Sequence, residues 1–371
     1  MRSSSGRYGW PLCSGVTFDN SATERRVRYH LVTAAVLFPA GLAAQLPRLE
    51  PLPIAPALAV LQFQVPIHSH EILDLQPGIV LIDEGTSQLV RINVVTGAEE
   101  RVGREGSGPG EFRGPGPIAA RPDGSVLVAD FRLQRITVVT PDWKAGPSYP
   151  AGMQIQEFYR PTRDSVLTLG GTHGRDLVSL SLRDGGTSTR FAPLAADSTN
   201  AFHSDFHDQT AFWLVSRHGG GWYLASGFAY RIFILDERGV KHAGFGRDIP
   251  PEPMSAPERL QDSIFMRRAN PQLSPASLTR FLDQQAAQFR IAIPAPPVED
   301  AAGRLWVTTY RLRQDSTEID VFDLQQRFLG TLRMPGQVRG LATRGDELVA
   351  LVDYVGGERD GYQGVLRYRI R

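Results

Sequence analysis

An all-β fold, a six-bladed β-propeller of four-stranded blades, is what this 371-residue chain predicts, with a small helical insertion between blades four and five. Three observations carry that expectation. First, six short apolar runs recur, at 80–83, 126–130, 166–170, 222–226, 305–309 and 348–353, and their last residues are 47, 40, 56, 83 and 44 positions apart. Apart from the 83-residue step, which holds an insertion, these intervals are near the length of one four-stranded blade. Second, a turn signal precedes each run, the clearest being Pro122-Asp123-Gly124, where proline fixes φ and glycine tolerates its positive values. Third, a second strand-like run follows each after a short loop: 89–92, 135–139, 177–180, 231–235, 319–322 and 365–368.

The chain opens with 26 polar, patternless residues, read as an over-extended N-terminus with Val27 as a candidate start. Residues 27–44 then have the layout of a secretory signal peptide: a basic flank at Arg25, Arg26 and Arg28, an apolar run from Leu31 to Phe38, and small residues up to Ala44. The run is shorter than the roughly 20 residues that span a bilayer. Cleavage near Ala43 or Ala44 would leave 45–371 as the propeller, expected in a bacterial periplasm or outside the cell, monomeric and without a membrane span. Cys13, the single cysteine, lies upstream of the leader, so the mature chain would carry no thiol or disulfide.

A net charge of +1 and the lack of any basic run argue against nucleic-acid binding. Thirty-seven glycines and 27 prolines suit many short strands joined by tight turns.

Closure of the ring is the next expectation. The sixth unit ends at Arg371 after three strands, so its fourth strand is expected from the N-terminal side, where Leu58-Ala59-Val60-Leu61-Gln62-Phe63 has strand composition. The insertion occupies 252–290. Within it Leu278, Phe281, Leu282, Ala286 and Phe289 share a helical face behind the start signal Ser274-Pro275, and Leu260 and Ile264 suggest a shorter helix. Connections between blades leave the ring on the same face as the loops joining second and third strands, so the insert is expected at one mouth of the central channel.

Gly103-Arg104-Glu105-Gly106-Ser107-Gly108-Pro109-Gly110-Glu111-Phe112, followed by Pro122-Asp123-Gly124, Val128-Ala129-Asp130 and Arg135-Ile136, closely resembles an NHL repeat. The motif is strong over 101–140 and degenerate elsewhere. This resemblance implies a six-bladed propeller, commonly a binding scaffold; some related propellers are enzymes, including lactonases, strictosidine-synthase-like proteins and amidating lyases. The glycine run is no phosphate loop, because Pro115, Pro117 and a strand follow it instead of a helix start.

Several side chains are candidates for a site on the mouth. His203, Asp205 and His207 form the densest set of metal-ligand types, a candidate site for a divalent cation that would activate water or a carbonyl. His173 and Arg175 lie in a neighbouring loop, and Arg311 and Arg313 with Tyr310 and Tyr354 are placed in second-to-third-strand loops, as residue types that dominate interface hot spots. No GxSxG nucleophile elbow occurs, and no catalytic residue is assigned. Recognition of a protein, peptide or glycan is the favoured function; a metal-dependent hydrolase or lyase at the channel mouth, lactonase-like or amidating-lyase-like, is the alternative.

Overall fold

The structure is a computed structural model. It describes residues 45–371 except 66–71, 76, 171–175, 192–211, 227–229, 249–255, 257–258, 261–262, 264–265, 268–271, 289–292, 314 and 355–356. At 170, 191, 212, 226, 281, 284–288 and 310–313 it describes the backbone.

Six antiparallel sheets of four strands form the ring. Blade one is β2 (Leu73–Leu75), β3 (Gly78–Asp83), β4 (Gln88–Asn93) and β5 (Glu99–Val102). Blade two is β6 (Pro115–Ala120), β7 (Val126–Asp130), β8 (Arg135–Val139) and β9 (Ala145–Pro150); blade three is β10 (Glu157–Tyr159), β11 (Ser165–Gly170), β12 (Asp176–Ser181) and β13 (Thr187–Phe191). Blade four holds β14 (Phe212–Ser216), β15 (Trp222–Ser226), β16 (Arg231–Leu235) and β17 (Lys241–Gly246), and blade five β18 (Val298–Glu299), β19 (Leu305–Arg313), β20 (Ser316–Phe322) and β21 (Phe328–Pro335). Blade six joins β22 (Gln337–Arg344), β23 (Glu347–Asp353) and β24 (Gln363–Ile370) to β1 (Leu49–Pro51).

The near-continuous apolar runs have a simple cause: each blade is covered on both faces. Alternate residues of β3 point into different wedges, Ile79 and Leu81 toward blade six, Val80 and Ile82 toward blade two, and all four are fully buried. Six apolar clusters, one between each pair of adjacent blades, make up the core.

Ring closure follows the expected principle with a different segment. The closing strand is β1, paired antiparallel with β24 through Leu49↔Ile370, Glu50↔Arg369 and Pro51↔Tyr368. Arg48 and Arg371 exchange backbone hydrogen bonds of 3.0 and 2.9 Å, and the Arg371 side chain reaches Glu50 at 2.9 Å. Leu58–Phe63 is not a strand. Pro56–Ala59 turns into a short helix, α1, with Pro56 in its first turn, as the fixed φ of proline favours. Leu58, Leu61, Phe63 and Val65 instead fill the wedge between blades six and one. The alternation in this segment reports one-sided burial, not a hydrogen-bonded ladder.

The insertion contains helix α2 (Pro275–Gln288). Ser274 caps it: its Oγ accepts from the Ser277 N–H at 3.1 Å, and its carbonyl accepts from the Leu278 N–H at 2.9 Å. Leu278 and Leu282, one turn apart, are buried, while Leu260 is 58% exposed. Both roots of the insertion are tied to the ring. Arg247 contacts both oxygens of the fully buried Asp320 at 2.7 and 2.6 Å, and Asp320 also accepts from the Tyr230 hydroxyl at 2.7 Å and Thr331 at 2.5 Å. At the other root, the carbonyl of buried Ile293 accepts from Trp213 Nε1 at 2.9 Å.

Candidate functional site

Antiparallel strands alternate direction across each blade. One face of the ring, the mouth face, therefore collects the loops after each second strand and the connections between blades. The opposite face collects the remaining turns.

Acidic residues end the second strands of blades one, two and six, and each has its partners within or beside its own blade. Asp83 accepts from the Gly85 N–H at 3.0 Å and pairs with Arg101 at 2.7 Å. Asp353 pairs with Arg339 at 2.7 Å and accepts from the Gln363 amide at 2.9 Å, while the other end of that amide accepts from the Val65 N–H at 2.6 Å. Asp130 accepts only backbone hydrogens in these contacts: Arg113 N–H on Oδ2 at 2.7 Å, and Arg132 and Leu133 N–H on Oδ1 at 3.1 and 2.9 Å. Desolvating such a carboxylate is offset by these charge-assisted bonds.

The glycine-rich segment of the motif is held from behind. Arg135 donates to the carbonyls of Ser107 at 3.0 Å and Gly108 at 2.8 Å, and to that of Glu111. The Glu111 carboxylate accepts from the Gly108 N–H at 2.7 Å and from Arg104 at 2.8 Å, and these two contacts, in that order, hold its pKa below the usual range. Gly106 has φ of +152°, and a Cβ there would collide with Glu111. The glycine pattern thus serves a tight backbone fold around one carboxylate.

Phe131 opens the loop after β7. Its N–H donates to the Gly114 carbonyl at 3.1 Å, and its ring lies against Gly114, where a Cβ would stand 2.6 Å from the ring edge. The ring is 43% exposed, with the Arg132 guanidinium over it at 5.7 Å from the centroid. In the loop after the second strand of blade six, Tyr362 is 47% exposed beside exposed Arg359.

The sequence-predicted residues scatter. His173, Arg175, His203, Asp205 and His207 lie outside the described residues. Tyr310, Arg311 and Arg313 belong to β19, not to a loop: the β19–β20 ribbon continues past a bulge through Leu312↔Thr317 and Arg313↔Ser316. The ladder extends because both strands stay extended beyond the blade, so the turn comes later than the apolar run implies. Tyr354 is buried, its hydroxyl donating to the Ala59 carbonyl at 2.8 Å, with Arg359 over its ring at 5.2 Å. It anchors the N-terminal segment to blade six and does not present its ring to solvent. Among the described residues no three His, Cys, Asp or Glu side chains gather as a metal site.

Sequence reasoning missed Glu157, the first residue of the innermost strand of blade three, at the mouth end. It is half-buried; its Oε2 accepts from the Tyr159 hydroxyl at 2.6 Å and its carbonyl from Thr168 at 2.7 Å. Desolvation raises its pKa to about 7, against the lowering effect of Tyr159, so the carboxyl is poised to exchange a proton near neutral pH. A polar residue leading a three-residue strand carries no periodic signal that would have singled it out.

No family model matches the chain, and no curated protein matches it in sequence. Solved structures share its architecture. A member of the DUF4221 family from Bacteroides vulgatus superposes with a TM-score of 0.53 at 9% identity, over 87% of this chain and 96% of that one. Regucalcin, a calcium-binding protein from Agrobacterium tumefaciens, gives 0.45 at 11% identity over 86% and 96%. A catalytically inactive virginiamycin B lyase from Staphylococcus aureus, with quinupristin, gives 0.45 at 10% over 80% and 79%. At these identities the likeness concerns the fold. No helix among the described residues is long and apolar enough to cross a membrane.

Proposed function

We propose that this protein is an exported, monomeric, NHL-like propeller that recognises a protein, peptide or glycan through its mouth face. One observation carries the reading: Asp130 clamps the loop that turns Phe131 and Arg132 outward, and the corresponding loop of blade six exposes Arg359 and Tyr362 alongside Glu358 and Asp360. A rim of arginine and aromatic residues over a rigid base is the composition of a recognition surface. The arrangement of Arg135, Glu111 and Gly108 supports the NHL resemblance, since the motif's polar residues hold one another. The basic flank and apolar run at 25–38 support export.

Screening the purified protein against peptide and glycan arrays tests this reading. Ligands that lose binding to the F131A/Y362A double variant support it; ligands indifferent to that variant refute the mouth as the recognition surface.

Glu157 favours a second reading, a hydrolase or lyase at the channel mouth, because a carboxyl titrating near neutrality suits general acid–base catalysis. In its metal-dependent form the ligands would be His203, Asp205 and His207, with His173 beside them. Native mass spectrometry with elemental analysis tests the metal-dependent form: one tightly held divalent metal, lost in H203A or H207A, would favour it, and turnover in a lactone, ester and lyase substrate screen would then separate the readings.

A further inference from the structure

We propose that the inner rim of blade two, built from Arg113, Phe131 and Arg132, binds carboxylate-rich peptide chains. The inference rests on the recognition reading of the mouth and gives it a ligand class. Asp130, 1% exposed, is its foundation: one carboxylate accepts from the backbone N–H of both Arg113 and Arg132, at 2.7 and 3.1 Å. Two loops remote in sequence are thereby clamped so that both guanidinium side chains leave from one root, with Phe131 between them packed on Gly114. All three side chains are exposed.

Charge decides what they bind. Three other arginines of this face are neutralised within the chain: Arg101 by Asp83, Arg104 by Glu111 and Arg339 by Asp353, each at 2.7 Å. Among the described residues neither Arg113 nor Arg132 pairs with an acidic side chain, and the carboxylate nearest their backbones faces the N–H groups. Two guanidiniums without an ion-pair partner among the described residues, on a rigid base, match carboxylates, which arginine binds through paired N–H donors. The Arg132 guanidinium lies over the Phe131 ring, which takes that face from a stacking sugar and leaves the ring edge for an apolar contact with a peptide. Exposure along the rim, instead of enclosure, suits an extended chain offering several carboxylates.

Fluorescence polarisation of a labelled octapeptide of alternating Glu and Gly, titrated with the full chain, tests the proposal. The expected result is saturable binding that weakens with salt and falls about tenfold in R113Q/R132Q. F131A should weaken it by a smaller factor, and R238Q, on the opposite face, should leave it unchanged; matching thermal melts confirm that all variants fold. No binding by the wild type, or equal binding by R113Q/R132Q, overturns the proposal. So does tighter arginine-dependent binding of oligogalacturonate or single-stranded DNA. If the octapeptide fails while an array ligand still depends on Phe131 and Tyr362, this inference falls and the recognition reading stands; if nothing binds and the protein turns over a lactone or ester, both fall.

Discussion

Glu157 shows how placement alone can set a side chain's chemistry. Its neighbours Phe158 and Tyr159 enter the wedges on either side of blade three, which leaves the carboxyl among protein atoms at the head of the innermost strand. Burial favours the protonated acid and lifts the pKa to about 7 from an ordinary 4.5. Below pH 4.5 the folded and unfolded chains are both protonated here, so the group has no effect on stability. As pH rises toward 7 the unfolded chain releases the proton while the folded chain keeps it, and stability falls by about 1–3 kcal/mol. Glu157→Gln should therefore raise stability at pH 8 by that amount and leave it nearly unchanged at pH 4, as read by urea denaturation at both values. The sequence showed none of this, because desolvation depends on neighbours from other blades. Tyr354 is the reverse case: its residue type and loop position pointed to a ligand contact, but its hydroxyl is committed to the Ala59 carbonyl.

At the scale of elements, the strands were legible and the connections less so. Every second and third strand coincides with an apolar run read from the sequence, because burial on both blade faces leaves an unbroken apolar signature. β1 left no such mark. It has three residues and ends in Pro51, which an outer strand tolerates because one edge needs no donor. The start of α2 was legible from Ser274-Pro275, since capping is local chemistry. The anchoring of its insertion was not, since Arg247 meets Asp320 from another blade. That pair yields a prediction: Arg247→Ala strands a fully buried carboxylate with only hydroxyl donors from Tyr230 and Thr331, and should cost about 3–5 kcal/mol. Arg247→Ala with Asp320→Asn should recover part of the loss, because the buried charge goes with its partner. Thermal unfolding of the single and double variants measures both.

For the whole molecule, stability resides in six wedges and one closure. Residues 57–65 supply Leu58, Leu61 and Phe63 to the wedge between blades six and one, each worth about 1.5–3 kcal/mol when buried. Deleting 57–65 should leave a chain that no longer melts cooperatively, given a typical total of about 5–15 kcal/mol. A chain beginning at residue 45 should match the full chain to within about 2 °C in Tm, while one beginning at residue 53 lacks β1 and should melt well below it. Differential scanning calorimetry of the three ranks them. Ring and blade number were readable because repetition writes the same signal six times; the site was not, because its parts come from separate loops and meet only in the ring.

Hydrogen-exchange mass spectrometry of the full chain with and without saturating Glu/Gly octapeptide tests the central claim, recognition of acidic peptide chains at the mouth, most directly. The account predicts slowed exchange in 103–114 and 131–134, with the opposite-face turns at 140–144 and 236–240 unchanged. Protection confined to those opposite turns, or none anywhere, would contradict it.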